Sequence, residues 1–356
     1  MSHGPLMLDL EGARVTREDR ERLRHPACGG VILFTRNFEA PGQLAELVAD
    51  IHGLRDPALL VAVDHEGGRV QRFRDGFTRL PPVARIGEEY DAHPAQAAKT
   101  ARELGWLMAV ELRTLGVDFS FAPVLDLGSG LCEVIGDRAF HHKPEVVARL
   151  AHAWMSGMHE AGMPAVGKHF PGHGNVVEDS HVALPVDRRE PVDLEMTDML
   201  PFQRMIHYGM EAVMPAHVIY EKADASAAGF SRYWLQDILR RQLEFQGVIF
   251  SDDLNMAAAA DAGDYAQRLE AALEAGCDMA LICNNPPAAE AMLESLEGYV
   301  NPAGQMRLLR MHGRGHMSRG ELHEGRRWHQ AVKLAARLNL VEPPELDLQP
   351  GPPAVT

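Results

Sequence analysis

The chain has 356 residues, of which 46% are hydrophobic and 24% are charged, so it can bury a large core as an ordinary globular protein. Its length allows either one large α/β barrel or two to three domains. The net charge of -15 argues against general binding to nucleic acid or to anionic membranes, because both repel an acidic protein.

The start of the chain has neither the basic nor the apolar region of a secretory signal. No apolar run approaches the ~20 residues that a helix needs to span a bilayer. We therefore expect a cytoplasmic protein with no part in a membrane.

Short apolar runs alternate with longer segments of helical periodicity along most of the chain. Gly or Pro bounds most of these runs, and they are rich in Val, Ile and Leu, as strands buried on both faces should be. The predicted strands are Pro5–Leu10, Gly30–Phe34, Leu59–Val63, Asp118–Ala122, Pro164–Lys168, Ala212–Pro215, Val248–Ser251 and Met279–Cys283.

Helices are predicted between these strands and after the last one. They include Gln43–Ile51, Ala95–Leu115, Pro144–Glu160, Arg232–Gln242, Tyr265–Ala275 and Ala288–Leu296. Eight strands alternating with helices match a single-domain (β/α)8 barrel of the TIM type in count and size. A doubly wound open sheet is the alternative, but the G-x-G-x-x-G that a dinucleotide fold places after its first strand is missing.

The alternation stops after Gly298. We therefore assign residues 1–300 to the catalytic barrel and residues 301–340 to a C-terminal helical extension packed on it. Within that extension, Arg307–His316 and Gly320–Leu338 are predicted helices. Val341–Thr356 contains five prolines and is predicted to be an extended or disordered tail.

Polar side chains follow the predicted strands, whose carboxyl ends carry the active site in barrels of this kind. The N-terminal ends carry mostly Gly, Ala and Pro, so the two ends of the barrel differ in the expected way. The residues at or just past the carboxyl ends are Asp64, His65, Glu66, Asp126, Lys168, His169, His217, Asp252 and Asp253.

The stretch from Lys168 to His181 concentrates three histidines, two acids and a lysine in a segment whose glycines and proline rule out a continuous helix. Within it, Asp179 precedes His181 by two residues, so the carboxylate could orient the imidazole and raise its basicity. Such a pair is a plausible proton shuttle near neutral pH. The alternative is a solvated loop that happens to be rich in histidine.

Asp252 and Asp253 end an apolar strand, so we expect one of them to face the barrel mouth and the other the surrounding helices. A carboxylate fixed at the mouth can act as a nucleophile, a general base or a metal ligand. The alternative is a cap for the following helix, which fits Asp253 better than Asp252.

Acids and arginines also accumulate at the expected mouth, where they suit a ligand with many hydroxyl groups. Carboxylates accept hydrogen bonds from such a ligand, and guanidinium groups donate them in fixed directions. The same residues could instead form ion pairs that hold loops. They are Asp64, Arg69, Arg72 and Arg138.

With these residues in view, the chain resembles family 3 glycoside hydrolases, and within them the bacterial β-N-acetylglucosaminidases that recycle peptidoglycan in the cytoplasm. Four signatures in order carry the resemblance, and with the barrel pattern they cover roughly residues 5–300. They are Asp64-x-Glu66-Gly67-Gly68-Arg69-Val70-x-Arg72, Ala122-Pro123-Val124-x-Asp126 with Ile135-Gly136-Asp137-Arg138, Lys168-His169-Phe170-Pro171-Gly172-His173-Gly174 through Asp179-Ser180-His181, and Phe250-Ser251-Asp252-Asp253-Leu254.

The resemblance implies that Asp252 is a nucleophile that forms a covalent glycosyl-enzyme. It implies that His181, supported by Asp179, protonates the leaving oxygen and later activates water. The hydroxyl groups of N-acetylglucosamine would be held by Asp64, Arg72, Arg138, Lys168 and His169. By the same resemblance, the enzyme needs no metal or organic cofactor and acts on N-acetylglucosamine-containing muropeptides. We expect a monomer without an obligate protein partner.

Two departures qualify the resemblance. The segment Gly128–Cys132 stands where the relatives tend to have a more polar stretch, which bears on the leaving-group side of the site. No family motif covers the chain after Gly298.

Several rival functions remain open from the sequence. A metal-dependent barrel hydrolase could use His169, His173, His181, His217 and Asp252 as zinc ligands, although no H-x-H ends the first strand. Lys168 could act as a Schiff-base lysine. A catalytically silent sugar-binding protein, a β-glucosidase and a glycoside phosphorylase of the same family are further alternatives.

The spacing of the cysteines bears on disulfides and zinc sites. The four cysteines lack a C-x-x-C pair, so buried reduced thiols are favoured over structural disulfides or a zinc site. They are Cys28, Cys132, Cys277 and Cys283.

Overall fold

The computed structural model of the protein describes residues 3–176, 184–315 and 317–340. In these ranges, eight parallel strands form the centre of the molecule. The strands are β1 (Leu6–Asp9), β2 (Cys28–Leu33), β3 (Leu60–Val63), β4 (Phe119–Ser120), β5 (Val166–Phe170), β6 (Ala212–Pro215), β7 (Val248–Asp253) and β8 (Met279–Leu281). Their order in the sheet is β4-β3-β2-β1-β8-β7-β6-β5. Each overlaps one predicted strand.

The two ends of the sheet meet between β4 and β5. Val124 and Lys168 form a parallel bridge there. The Leu125 amide donates to the Lys168 carbonyl oxygen at 2.7 Å, and the Val166 amide donates to the Ala122 carbonyl oxygen at 2.8 Å. The sheet is therefore a (β/α)8 barrel, and the alternative of an open, doubly wound sheet is wrong.

Helices surround the barrel. They are α1 (Arg17–Arg24), α2 (Pro41–His52), α3 (Ala84–Ala92), α4 (Pro94–Arg113), α5 (Pro144–Glu160), α6 (Pro191–Met196), α7 (Met199–His207), the π-helical α8 (Tyr233–Gln242), α9 (Tyr265–Ala275), α10 (Pro286–Ser295), α11 (Pro302–Leu308), α12 (Arg319–Glu324) and α13 (Arg326–Asn339). Many begin with proline, whose missing amide hydrogen is no loss at a first helical position. Among the helices described, none is long and apolar enough to cross a membrane.

Short elements complete the chain. Single turns of 3-10 helix are Thr35–Asn37, Gly136–Arg138, Ala228–Phe230 and Leu309–Met311, and Ala257–Ala262 forms two turns. Two small ladders lie outside the barrel: His65–Gly67 pairs antiparallel with Val70–Gln71, and Val186–Asp187 pairs parallel with Ile219–Tyr220.

Helices α4 and α5 pack closely because glycines stand where their backbones meet. A Cβ atom at Gly157 would lie 2.0 Å from the Arg102 carbonyl oxygen, and one at Gly105 would lie 2.3 Å from the Trp154 carbonyl oxygen. Both distances are far below van der Waals contact, so any larger residue would separate the two helices. The four cysteines are buried and unpaired in the described chain, as expected.

The C-terminal extension differs in detail from the prediction. The predicted helix Arg307–His316 is wrong, because α11 begins earlier, at Pro302, where the Asn301 side chain accepts a hydrogen bond from the Gly304 amide at 3.0 Å. The predicted helix Gly320–Leu338 is two helices, α12 and α13, which meet at Gly325.

Helix α13 packs on α4, and its Trp328 indole donates to the buried Glu111 carboxylate at 2.9 Å. The tail predicted for Val341–Thr356 lies outside the described residues. The division of the chain at residue 300 stays a prediction.

Candidate active site

A cavity of about 410 Å³ opens at the carboxyl ends of the strands. Apolar side chains, among them Ile32, Phe121 and Leu281, form part of its wall. Its polar wall consists of side chains from the ends of β3, β5, β7 and β8 and from the loops that follow β3, β4 and β5. These are Asp64, Glu66, Arg69, Arg72, Arg138, Lys168, His169, His173, Asp252, Asp253 and Asn284.

Lys168 on β5 is buried and reaches across the barrel to two acids. Its Nζ lies 2.8 Å from Asp64 Oδ1 and 2.6 Å from Glu66 Oε1. Burial alone would lower the pKa of Lys168, but the two carboxylates outweigh it and raise that pKa. The amine is therefore protonated and carries no lone pair, which disfavours the Schiff-base alternative.

Glu66 also binds Arg138, which lies on the loop after β4. Arg138 Nε and Nη2 donate to its two carboxylate oxygens at 2.8 and 2.9 Å. Burial acts to raise the pKa of Glu66, but Arg138 and Lys168 hold it well below its usual range. The sequence placed Glu66 at a strand end without giving it a role, and the structure makes it the anion between two proposed sugar-binding cations.

Arg72 and Arg69 follow the same strand but differ in their contacts. Arg72 Nη2 lies 3.5 Å from Asp64 Oδ2 at the cavity wall. Arg69 Nη2 donates to the Glu133 carbonyl oxygen at 2.9 Å, and its Nε lies 3.4 Å from Asp137 Oδ1. The loop-holding interpretation therefore describes Arg69, while Arg72 stays available to a ligand on its cavity side.

A buried carboxylate, Asp126, organises the start of the histidine-rich stretch. It accepts a 2.7 Å hydrogen bond from His169 Nδ1 and another from the His173 amide, also at 2.7 Å. Burial would raise the pKa of Asp126, yet His169 outweighs burial and lowers it. With Nδ1 occupied, His169 has its Nε2 atom left for other partners.

Asp252 and Asp253 both line the cavity, whereas alternation along a strand predicted only one. Strand β7 is irregular here, because its pairing with β8 shifts register between Phe250 and Asp253. Burial acts to raise the pKa of Asp252, but the His217 ring, which is protonated at acid pH, together with the Asp253 amide and Lys168 outweighs burial and holds that pKa below its usual value. Asp252 is therefore an anion at neutral pH.

Asp253 does not cap a helix, so that alternative is wrong. Its Oδ1 accepts hydrogen bonds from the Asn255 amide at 2.9 Å and from the Cys283 amide at 3.0 Å. Burial raises the pKa of Asp253 to about 7. Two adjacent carboxyl groups whose pKa values are shifted in opposite directions thus lie in one cavity.

Two strand-end histidines do not line the cavity. His65 is 1% exposed and packs on Phe73 and Phe77. His217 is fully buried and stacks on Phe230. Successive side chains along a strand point to opposite faces of the sheet. Asp64 therefore faces the cavity, and His65, the next residue, does not.

The proposed proton-shuttle pair, Asp179 and His181, lies outside the described residues. Within the described ranges, no three His, Cys, Asp or Glu side chains converge as metal ligands would. The geometry thus brings together Asp64, Arg72, Arg138, Lys168, His169 and Asp252 of the predicted site. It combines an anionic carboxylate with a polar wall that can both accept and donate hydrogen bonds.

Comparison with known proteins assigns the family. The model described as the glycosyl hydrolase family 3 N terminal domain matches residues 6–307. A β-hexosaminidase of Thioalkalivibrio sulfidiphilus is 61% identical over 98% of this chain and 100% of its own length. A β-hexosaminidase of Nitrosospira multiformis is 55% identical over 96% of this chain and 98% of its own.

A solved structure agrees with these relatives. NagZ from Neisseria gonorrhoeae, in complex with N-trifluoroacetyl-D-glucosamine, is 46% identical and superimposes with a TM-score of 0.90. The match covers 95% of this chain and 98% of that one. The chain belongs to glycosyl hydrolase family 3.

Proposed function

We propose that this protein, a family 3 β-N-acetylhexosaminidase, removes terminal β-linked N-acetylglucosamine with retention of configuration. The observation that carries the proposal is the ionised Asp252 carboxylate, which lies in one cavity with the Lys168, Glu66 and Arg138 cluster. The relatives named β-hexosaminidase and the NagZ complex with an N-acylated glucosamine support the choice of sugar.

The natural substrates are proposed to be N-acetylglucosaminyl-anhydromuramyl peptides released from peptidoglycan. The reaction would then belong to cell-wall recycling in the cytoplasm, and the enzyme would act there as a monomer. This part of the proposal rests on the similarity to NagZ, which extends over nearly the whole of both chains.

In the first step, an Asp252 oxygen attacks the anomeric carbon while the bond from that carbon to the leaving oxygen breaks. The leaving oxygen takes a proton from His181, and a covalent glycosyl-enzyme results. In the second step, water transfers a proton back to His181 and attacks the same carbon, which releases the sugar and restores the Asp252 carboxylate. Retention follows from the two inversions.

An imidazole takes the place of the second carboxylate that most retaining glycosidases use as acid and base. Its unperturbed pKa of ~6.5 lies near the working pH, so it can give and take a proton in one cycle. Asp179 would orient the ring and stabilise its protonated form.

The remaining residues would hold the sugar. Asp64 and Glu66 can accept hydrogen bonds from hydroxyl groups, while Arg72, Arg138 and Lys168 can donate them. His169 adds a ring nitrogen whose orientation Asp126 sets. Because each of these cations contacts one or both of the two acids, the wall suits a neutral, hydroxyl-rich ligand.

The test is hydrolysis of 4-nitrophenyl N-acetyl-β-D-glucosaminide by the wild type and by Asp252→Asn, with the β-D-glucoside as a second substrate and EDTA in parallel. Turnover of the N-acetyl substrate that resists EDTA and falls by roughly 1,000-fold or more in the variant supports the proposal. The matched control is Asp261→Asn, which should retain full activity. Asp261 is an exposed carboxylate in the 3-10 helix Ala257–Ala262 that follows β7.

Other outcomes would redirect the assignment. Equal turnover of both sugars would indicate a β-glucosidase, and loss of activity with EDTA would indicate a metal-dependent hydrolase. Binding of N-acetylglucosamine without turnover would indicate a silent sugar-binding protein.

A further inference from the structure

Asp253 is held by groups from both neighbouring strands of the barrel. On one side, the His217 ring, which follows β6, lies with its Nε2 atom 3.2 Å from the Asp253 carbonyl oxygen. On the other side, the Cys283 amide, which follows β8, donates to Asp253 Oδ1 at 3.0 Å. Residue 253 is therefore held at its backbone carbonyl by a group that follows β6 and at its side chain by a group that follows β8.

The Asp253 amide in turn sets the orientation of the Asp252 side chain. It donates to Asp252 Oδ1 at 2.8 Å, and among the described residues this is the one hydrogen bond to that carboxylate. After the register shift of β7 between Phe250 and Asp253, Asp253 pairs with Leu281. The Asp253 carbonyl oxygen also accepts the Met256 amide at 3.1 Å, so the His217 ring is its second hydrogen-bond partner. The position of Asp252 thus depends on what holds Asp253.

The protonation of His217 follows from its surroundings. A carbonyl oxygen can only accept, so Nε2 carries the proton of the ring. His217 Nδ1 is buried, and no hydrogen-bond partner for it exists among the described residues. The ring stacks on Phe230 with a centroid separation of 5.3 Å and an interplanar angle of 15°. Burial lowers the pKa of His217, so the ring is neutral at working pH.

We propose that His217 is a positioning residue, which orients the Asp252 nucleophile by donating its Nε2 hydrogen to the Asp253 carbonyl. The inference rests on the proposed function, because it gives His217 a role only if Asp252 attacks the sugar. His217 itself touches no reacting atom.

Two other roles fit the geometry less well. A zinc ligand or general base needs a ring lone pair directed into the cavity, yet Nε2 is occupied by the carbonyl and the ring does not line the cavity. A purely structural role would affect folding stability but not the step in which the nucleophile attacks. The distinction can therefore be made by kinetics.

The test compares His217→Phe, which keeps a flat ring on Phe230 but has no donor, with His217→Gln, whose side-chain amide can still donate. We expect kcat/KM for the aryl N-acetylglucosaminide to fall about 100-fold in His217→Phe, because a displacement of about 1 Å at a reacting atom has an effect of this size. His217→Gln should lose no more than about tenfold.

Two readouts separate positioning from a structural or acid-base role. The Kd for N-acetylglucosamine, measured by calorimetry, should stay within about twofold in both variants, because the sugar-binding wall is not touched. The pH values at which kcat/KM rises and falls should also stay in place, since a neutral His217 takes no part in proton transfer.

A second pair of variants tests the contacts of the Asp253 side chain. Its result does not depend on whether a His217 variant folds. Asp253→Ala removes the acceptor of the Cys283 and Asn255 amides, whereas Asp253→Asn keeps an oxygen there. We expect about a 100-fold loss of kcat/KM for Asp253→Ala and a loss within about tenfold for Asp253→Asn. His3→Phe, a buried histidine at the opposite end of the barrel, is the control and should behave as the wild type.

The proposed function requires that the wild type is active and that Asp252→Asn is not. If both hold, the inference is overturned when His217→Phe or Asp253→Ala keeps the wild-type kcat/KM. It is also overturned if His217→Phe weakens sugar binding as much as it weakens catalysis, or if the pH limits move. An inactive wild type, or an active Asp252→Asn, would instead contradict the proposed function.

Discussion

Glu66 and Arg138 are joined by two parallel hydrogen bonds of 2.8 and 2.9 Å, although 72 residues separate them in the chain. The pair connects the hairpin after β3 with the loop after β4. Because Lys168 also contacts Glu66, one carboxylate aligns two cations on the cavity wall. The proposed sugar-binding residues are thus arranged by an acid that itself faces the same cavity.

Replacing Glu66 with Gln should impair both stability and sugar binding. The change leaves Arg138 and Lys168 buried with less compensating charge, and breaking a buried ion pair costs about 3–5 kcal/mol. Urea unfolding at neutral pH measures the first effect, and the Kd for N-acetylglucosamine measures the second. Glu133→Gln, an exposed acid on the Arg138 loop, is the control. Wild-type stability in Glu66→Gln would contradict the prediction.

Replacing Asp126 with Asn should lower activity through His169. The charged acceptor that fixes the Nδ1 hydrogen of His169 at 2.7 Å is lost, so the ring can turn and change tautomer. Carboxylates that orient metal-ligating histidines contribute about 10- to 100-fold to activity, and we expect a loss of similar size here. Steady-state kinetics on the aryl N-acetylglucosaminide would show the loss in kcat/KM. An unchanged value would mean that a neutral amide oxygen at position 126, held by the His169 and His173 amides, orients the ring as well as the carboxylate does.

The stability of the protein should depend on Asp253 in a pH range set by its raised pKa of about 7. Below about pH 4 this group is protonated in both the folded and unfolded states. Between about pH 4 and pH 7 the unfolded chain loses the proton first, so wild-type stability falls as the pH rises. Asp253→Asn cannot ionise but keeps an acceptor oxygen.

The measurement is the difference in Tm between Asp253→Asn and the wild type, taken from about pH 5 to about pH 8. We expect this difference to grow in favour of the variant as the pH rises. A constant difference would show that the Asp253 carboxyl keeps its ordinary pKa in the folded protein.

Replacing Trp328 with Phe should destabilise the protein without impairing catalysis. The change removes the indole hydrogen that Glu111 accepts at 2.9 Å, and a hydrogen bond to a charged group contributes about 1.5–3 kcal/mol. Thr78 remains on the same carboxylate. Urea unfolding combined with kcat/KM measures both effects. A large loss of kcat/KM at full stability would give the C-terminal extension a part in the active site instead.

The sequence predicted the barrel and much of the cavity wall, because both follow from local patterns. Buried parallel strands are continuous apolar runs, and polar residues directly after them must meet at one end of a closed sheet. Asp64, Lys168 and Asp252 were predicted on this basis, and the structure brings them to one cavity.

What the sequence did not predict depends on distant partners. The role of Glu66 requires knowing that Arg138 approaches it, and the place of Asp253 in the cavity requires the register shift of β7. The predicted bounds of the C-terminal helices were wrong because they were taken from the apolar pattern. The proline at residue 302 and the glycine at residue 325 determine where these helices begin.

The seam of the barrel runs through Lys168. Its carbonyl oxygen accepts the Leu125 amide, which joins the ends of the sheet, while its ammonium group contacts Asp64 and Glu66 in the cavity. Strand β4 is only 2 residues long, so few ladder bonds support this closure. A ligand held by the lysine therefore also opposes opening of the sheet, and by mass action its binding energy protects the backbone there. Binding of substrate and closure of the barrel are therefore coupled. The Leu125 amide should exchange its hydrogen with solvent more slowly when the enzyme is saturated with ligand.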